Sequence, residues 1–184
     1  MGRDSGFIAA FSVLVAGEVN FCLIPEVPFT QEALLTALDQ RLQQRGHAVI
    51  VVAEGAGQEL LLSTGEKDAS GNIQYADIGI FLRDSIKAHF KSRGVHLNLK
   101  YIDPSYAIRS RPTNAHDAGM CLVFGQSAVH AGMAGRTGMM VGFWNHEFTH
   151  VPIPLAVSER KKMDPGGRIW SSVLASTGQS AELS

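Results

Sequence analysis

The sequence predicts an α/β fold in which helices flank a mostly parallel sheet. Short apolar runs alternate with helical patterns along all 184 residues, which is typical of βα units. Residues 48–53 (AVIVVA) are apolar on both faces, as in a central parallel strand covered by helices. The apolar fraction of 45% and the charged fraction of 18% are those of a folded globule. A chain of this length is expected to form one domain, residues 1–184.

The first half of the chain carries clear start and stop signals. Residues 5–16 are almost continuously apolar and predict a buried helix that Gly17 can end. A strand at residues 21–24 is closed by Pro25. Thr30 is a suitable cap for a helix with leucines at helical spacing, and Gly46 can end that helix. Residues 55–75 are polar and rich in glycine, which predicts a surface loop.

The second half continues the same alternation. Apolar residues at helical spacing predict a helix from Ile78 to Phe90, and Gly94 can stop it. The alternating run LNLKYI (residues 97–102) predicts a strand. A long helix with many small residues follows at about residues 113–131, then a strand at 139–144 and a last helix around residues 169–174.

Charge and cysteine content exclude several classes of protein. The net charge is −1, and the 16 basic residues are scattered among 17 acidic ones, so neither nucleic acid nor a membrane surface is an expected partner. The apolar N-terminal segment is short and interrupted by polar residues, which argues against a signal peptide or a membrane span. Cys22 and Cys121 each lie in an apolar run and are expected to be reduced core thiols of a cytoplasmic protein.

One segment, His146-Glu147-Phe148-Thr149-His150, matches the H-E-x-x-H pattern of zinc proteases. That chemistry needs a helix, because only a helix puts both imidazoles on one metal. Pro152 and Pro154 follow at once, and the preceding MMVGFW is strand-like. The two histidines are therefore expected to be loop residues, and no metal site is predicted.

Three other segments can bind an anionic sugar. Glu54 follows the most apolar strand in a glycine-rich turn, where a carboxylate can accept hydrogen bonds from sugar hydroxyls. Lys100, Tyr106 and Arg109 combine a point charge, a phenol and a bidentate fork, which suits a phosphate group. The chain start, Met1-Gly2-Arg3, precedes a helix N-terminus, where anions are favoured. Each segment also has an explanation without a ligand: a sharp turn after the strand at Glu54, a surface arginine at Arg109, and a flexible chain terminus at Met1-Gly2-Arg3.

Taken together, MGRDSGFIA, CLIPEVPF, HAVIVVAEGAGQ, DASGN, KYIDPSYAIRS and STGQ resemble the C-terminal half of 6-phosphofructokinases. The likeness extends over essentially the whole chain and is greatest to the branch of plant-type ATP-dependent enzymes and their pyrophosphate-using relatives. It implies a partial phosphofructokinase-like fold. It also implies binding of fructose 6-phosphate by the residues that match the family motifs: Met1, Gly2, Arg3, Glu54, Tyr106 and Arg109.

The resemblance further implies individual roles. Arg3 would also act catalytically near the transferring phosphoryl group. Lys100 would contact the sugar phosphate of an adjacent subunit, by a looser correspondence. The full-length family uses Mg²⁺ with ATP or pyrophosphate, forms homo-oligomers and is cytoplasmic. We expect ATP as the donor.

Two family motifs do not occur in these 184 residues: the Gly-Gly-Asp loop for donor phosphates and the Thr-Ile-Asp segment that supplies the base. Phosphoryl transfer depends on positioning and charge neutralisation. We therefore expect a sugar-phosphate-binding half, without the donor-binding half, that is inactive alone as a kinase. The alternative is a non-catalytic sugar-phosphate-binding or subunit-interaction module.

Overall fold

A computed structural model describes residues 4–61, 69, 71 and 74–183, and the side chains of all of these except Ser105 and Tyr106. The chain divides into two compact units, Met1–Asp103 with Lys162–Ser184, and Pro104–Lys161. The prediction of a single domain stays a prediction. Within the predicted glycine-rich loop, residues 62–68, 70, 72 and 73 lie outside the described residues.

In chain order the helices and strands are α1 (Phe7–Ala16), β1 (Phe21–Leu23), α2 (Gln31–Arg45), β2 (Ile50–Val52), α3 (Ile78–Ser92), α4 (Ser105–Arg109), α5 (Ala115–Met133), β3 (Met139–Trp144), β4 (Glu147–Pro152), α6 (Ile153–Ala156) and α7 (Arg168–Thr177). A short 3-10 helix, Gln58–Leu60, follows β2.

The first unit is a parallel sheet between two layers of helices. β1 and β2 pair in parallel, with Phe21 opposite Ile50 and Leu23 opposite Val52. Side chains alternate across a strand, so Phe21 and Leu23 join a buried cluster with residues of α2 and α3. Cys22 joins a second cluster with residues of α1 and α7 on the other face. The predicted α/β class is confirmed.

The residues predicted to cap α2 and to end α1 and α2 do so in the structure. The Thr30 hydroxyl accepts a hydrogen bond from the Ala33 N–H, 3.2 Å away, and so caps α2. Gly46 ends α2 and Gly17 ends α1 in the left-handed conformation, with φ of 73° and 66°. The prediction that α1 is a buried helix is correct for one face only, because Val15 is 86% exposed.

The predicted strand at residues 97–102 is wrong. These residues form no strand, although Leu97 and Leu99 pack against the first cluster. The alternation in the sequence therefore reports one-sided burial and not a ladder of backbone hydrogen bonds. After Pro104 the chain forms the short helix α4, which the sequence analysis did not predict.

The second unit contains α4, α5 and an antiparallel hairpin. β3 and β4 pair from Met139 opposite Pro152 to Trp144 opposite Glu147. Phe148 of β4 contacts Phe124 of α5, with ring centroids 4.9 Å apart. Asn114 caps α5, because its side-chain oxygen accepts a hydrogen bond from the Asp117 N–H.

The expectation that both cysteines are core thiols holds for Cys22 and is wrong for Cys121. Cys22 is buried and Cys121 is exposed. Cys121 lies on α5, where Ala131 is the one buried residue that the structure describes. An apolar sequence run does not guarantee burial, since burial also requires a surface that covers the helix.

None of the helices in the described part of the chain combines the length and the apolar character needed to cross a bilayer.

Candidate functional site

Glu54 lies at the carboxyl end of β2, where the chain leaves the sheet. The Ala53 N–H donates to the Leu23 carbonyl at 2.9 Å, which extends the β1–β2 pairing to the residue before Glu54. Glu54 itself is exposed. Within the described residues, its carboxylate has no hydrogen-bond or ion-pair partner. The described residues therefore leave this carboxylate open to a ligand.

The turn after Glu54 is packed tightly on the core. The Ala56 N–H donates to the Ala53 carbonyl at 2.9 Å, and Ala56 is fully buried. Gly57 has φ of 62°, and a Cβ there would lie 2.7 Å from Phe29 Cζ and 3.1 Å from Ile78 Cδ1. Only glycine fits both this conformation and this space, so the glycine-rich motif here serves the shape of the turn.

The Gln58 side chain bridges two segments of this region. Its Nε2 donates to the Glu54 carbonyl at 2.8 Å and to the Ala76 carbonyl at 3.1 Å. Ala76 directly precedes the cap of α3, Asp77. The backbone of Glu54 is thus tied to the start of α3.

Lys100 is exposed and precedes a tightly anchored tyrosine. The Tyr101 ring lies against Gly79 of α3, where a Cβ would be 2.3 Å from Tyr101 Cε2. The Tyr101 hydroxyl donates to the Asp77 carboxylate, with distances of 3.1 and 3.3 Å to its two oxygens. Burial, followed by the hydrogen bond to Asp77, raises the pKa of the Tyr101 phenol. Tyr101 therefore fixes the backbone that carries Lys100.

Lys100 also borders a cavity of about 390 Å³ that residues of β2 help to line. Its walls are mainly aliphatic and come from α2, β2, α3 and residues 97–99. The described residues that line it include the basic side chains of His47, Arg83 and His96 as well as Lys100, but not Glu54. The structure therefore places Glu54 and Lys100 in one unit, with Lys100 but not Glu54 at this cavity.

Tyr106 and Arg109 lie in α4, in the second unit. A spacing of three residues on a helix puts two positions on neighbouring turns, and the Arg109 side chain is exposed. The side chain of Tyr106 is outside the description, and so are Met1, Gly2 and Arg3. The predictions for these residues stay predictions.

The segment that follows the Met1-Gly2-Arg3 triplet is held at two points. The Gly6 N–H donates to both carboxylate oxygens of Glu26, at 3.1 and 3.0 Å, and Glu26 also accepts from the Met163 N–H at 2.9 Å. The Tyr75 hydroxyl donates to the Asp4 carboxylate. Sequence reasoning missed Glu26, Gln58 and Tyr75 as anchors, because contacts between distant segments leave no local spacing signal.

The H-E-x-x-H segment does not form the helix that a zinc protease requires. His146 lies in the hairpin turn with φ of 67°, and β4 begins at Glu147. His150 is a strand residue and not the expected loop residue, and its Nδ1 lies 2.6 Å from Arg136 Nη1. In the part of the chain that the structure describes, no group of three His, Cys, Asp or Glu side chains could hold a metal ion.

Comparison with known proteins supplies the family. The sequence profile described as phosphofructokinase matches residues 1–132. This chain belongs to the phosphofructokinase family. The pyrophosphate-dependent phosphofructokinase structure from Marinobacter aquaeolei superposes with a TM-score of 0.67 and 20% identity, over 95% of this chain and 45% of that one, and supports the same fold.

Curated relatives are more similar in sequence. The chain is 49% identical to ATP-dependent 6-phosphofructokinase of Borreliella burgdorferi, over 97% of this chain and 42% of the relative. It is 47% identical to the enzyme of that name from Amycolatopsis methanolica, over 100% and 42%. It is also 44% identical to ATP-dependent 6-phosphofructokinase 5, chloroplastic, of Arabidopsis thaliana, over 97% and 34%. The chain thus spans well under half the length of these relatives.

Proposed function

We propose that this chain is the sugar-phosphate-binding half of an ATP-dependent 6-phosphofructokinase. The complete enzyme transfers a phosphoryl group to the 1-hydroxyl of fructose 6-phosphate and yields fructose 1,6-bisphosphate in glycolysis. The observation that carries the proposal is the exposed Glu54 carboxylate, on a rigid turn at the carboxyl end of a parallel strand, in a chain of this family. Ligands of open α/β sheets bind at such strand ends.

Each candidate residue has a chemical role in this proposal. Glu54 accepts hydrogen bonds from sugar hydroxyls, and Arg109 neutralises the phosphate through its planar fork. Lys100 neutralises the sugar phosphate of an adjacent subunit. The Tyr106 hydroxyl donates a hydrogen bond to the sugar phosphate. Met1, Gly2 and Arg3 complete the sugar site, and Arg3 stabilises the charge of the transferring phosphoryl group.

The proposal also includes the phosphoryl donor and the metal ion, without binding residues for either on this chain. The names of the relatives support ATP over pyrophosphate as the donor. Magnesium would neutralise the donor phosphates when bound. The described residues offer no three-ligand cluster for it, so no step on this chain is assigned to the metal.

A second candidate function is a non-catalytic sugar-phosphate-binding or subunit-interaction module. The observation that favours it is the exposed apolar surface of α5, where Leu122 and Val129 are 64% exposed and Met133 is 84% exposed. Apolar side chains in such numbers on one helix are typical of surfaces that another chain or domain covers. The proposal also includes that the protein forms homo-oligomers and is located in the cytoplasm, although the Arabidopsis thaliana relative 6-phosphofructokinase 5 is named as chloroplastic.

An assay of fructose 1,6-bisphosphate formation separates the two functions. With ATP, Mg²⁺ and fructose 6-phosphate, the 184-residue chain alone should show no turnover. The product of the longer reading frame should be active if that frame adds a Gly-Gly-Asp loop and a Thr-Ile-Asp segment. Turnover by the short chain contradicts the proposal, and a stop codon immediately upstream favours the non-catalytic module.

A further inference from the structure

Gln58 uses both hydrogens of its side-chain amide on backbone carbonyls of two different segments. Glu54, at 2.8 Å, belongs to the turn after β2, and Ala76, at 3.1 Å, belongs to the approach to α3. Gln58 is only partly buried, so its contribution is one of geometry more than of core packing.

We propose that Gln58 is a positioning residue that sets the place of the Glu54 carboxylate for the sugar. This inference rests on the proposed function of Glu54. The carboxylate has no partner among the described side chains and backbone groups, so the path of its own backbone sets where the side chain begins and the region that the carboxylate can reach. β2 fixes that backbone on one side, and the Gln58 amide fixes it on the other.

The same contact connects Glu54 with the second candidate residue of this unit. Ala76 is followed by Asp77, whose side chain caps α3 by accepting from the Ile80 N–H at 2.9 Å. The Asp77 carboxylate also accepts from the Tyr101 hydroxyl, and Tyr101 follows Lys100 directly. A continuous set of short contacts therefore holds the backbones of Glu54 and Lys100 in a fixed relation through the start of α3.

Loss of the amide has a specific physical effect. Without its donors, the carbonyls of Glu54 and Ala76 turn to water, and the turn after β2 is no longer tied to α3. Because Ala56 and Gly57 remain packed on Phe29 and Ile78, the fold should persist. The place of the Glu54 carboxylate becomes less well defined, and a binding group that is misplaced loses affinity.

The test is a calorimetric double-mutant cycle on the 184-residue chain with fructose 6-phosphate. Gln58→Met removes both donors at similar length and without a new charge, and Glu59→Gln is the matched control at the exposed neighbour. We expect Gln58→Met to weaken binding about tenfold and Glu59→Gln less than about twofold. In a Glu54→Gln background, Gln58→Met should change affinity less than about twofold.

Equal losses of affinity in both backgrounds would show that Gln58 acts independently of the Glu54 carboxylate and would overturn the inference. If the chain does not bind the sugar phosphate at all, the proposed function of the chain fails, and with it the role of Gln58 toward the sugar. Amide proton exchange then tests the contacts of Gln58 independently of binding. Slow exchange of the Gln58 side-chain amide, together with faster exchange of the Ala56 N–H in Gln58→Met, supports the hydrogen bonds from Gln58 to the Glu54 and Ala76 carbonyls. Unprotected Gln58 amide protons rule them out, and the same exchange data show whether Gln58→Met folds.

Discussion

The Gln179 side chain hydrogen-bonds both backbone groups of Cys22. Its Oε1 accepts from the Cys22 N–H at 2.6 Å, and its Nε2 donates to the Cys22 carbonyl at 3.3 Å. In a parallel pair, alternate residues direct their backbone groups away from the partner strand. Phe21 and Leu23 bond toward the β2 side, through the Val49 carbonyl and the Ala53 N–H. The Gln179 amide thus takes the place of a further strand at Cys22.

Gln179→Ala should lower the free energy of unfolding by about 1–3 kcal/mol, because it leaves a donor and an acceptor of a buried residue unsatisfied. The matched control, Gln43→Ala on the exposed surface of α2, should change it by less than about 0.5 kcal/mol. Urea unfolding followed by circular dichroism measures both. Equal effects of the two substitutions would argue against a structural role for the Gln179 amide.

Gly79→Ala should destabilise the protein by about 1–3 kcal/mol, although alanine is the better helix former. A Cβ at Gly79 would lie 2.3 Å from the Tyr101 ring, so the ring must move. In a Tyr101→Ala background the same substitution should be neutral or stabilising by up to about 1 kcal/mol. Denaturant unfolding of the four proteins completes the cycle, and an identical cost in both backgrounds would refute the contact.

The two thiols should react at very different rates in the folded protein. Cys121 is exposed, whereas burial raises the pKa of the Cys22 thiol to about 12. Since the thiolate is the reactive form, a thiol-specific dye at neutral pH should label Cys121 quickly and Cys22 only after unfolding. Cys121→Ser should abolish the fast phase. A fast phase that persists in Cys121→Ser would contradict the burial of Cys22.

The raised pKa of Cys22 also makes stability depend on pH. In the unfolded chain the thiol loses its proton near its ordinary value of 9.0, while the folded protein retains the proton until about 12. The stabilisation is therefore fully present below pH 9.0 and is lost as pH rises toward about 12. The stability difference between the wild type and Cys22→Ala should shrink as the pH rises from 9.0 to about 12. A difference that stays constant would contradict the assignment.

His146→Gly should stabilise the hairpin by about 0.5–1 kcal/mol. Asn145 and His146 have φ of 48° and 67°, the combination that two-residue hairpin turns require and that Asn-Gly satisfies best. The change also removes the first histidine of the H-E-x-x-H segment. Denaturant unfolding of the variant, with His130→Gly in α5 as a destabilising control, checks the sign. A loss of stability in His146→Gly would contradict this prediction and would mean that the edge contact of the imidazole with Phe143, at a centroid distance of 6.2 Å, outweighs the backbone strain.

The elements that sequence analysis predicted correctly have local causes. Thr30 and Gly46 bound α2 by capping and by a left-handed φ, and the apolar run at residues 48–53 contains β2. These features depend on residues within one turn or one strand of each other. Glu54, Lys100 and Arg109 are candidate site residues because they lie in motifs that resemble those of the family, and their use by a ligand stays a proposal.

The features that were missed depend on distant segments. Residues 97–102 alternate because Leu97 and Leu99 face the core, which also occurs without strand pairing. The apolar run around Cys121 does not reveal which surface covers α5. The bridges from Gln58 to Ala76 and from Glu26 to Met163 join residues 18 and 137 positions apart, so no periodicity in the sequence could indicate them.

The central claim is that this chain contains a sugar-phosphate site, and a calorimetric titration with fructose 6-phosphate tests it most directly. Fructose without the phosphate is the ligand control, and Arg111→Ala is the matched control for Arg109→Ala. We predict saturable binding of fructose 6-phosphate by the wild type and by Arg111→Ala, and at least about tenfold weaker binding by Arg109→Ala and to fructose. Binding that is absent from the folded wild-type chain, or that is indifferent to the phosphate and to Arg109, would contradict the claim.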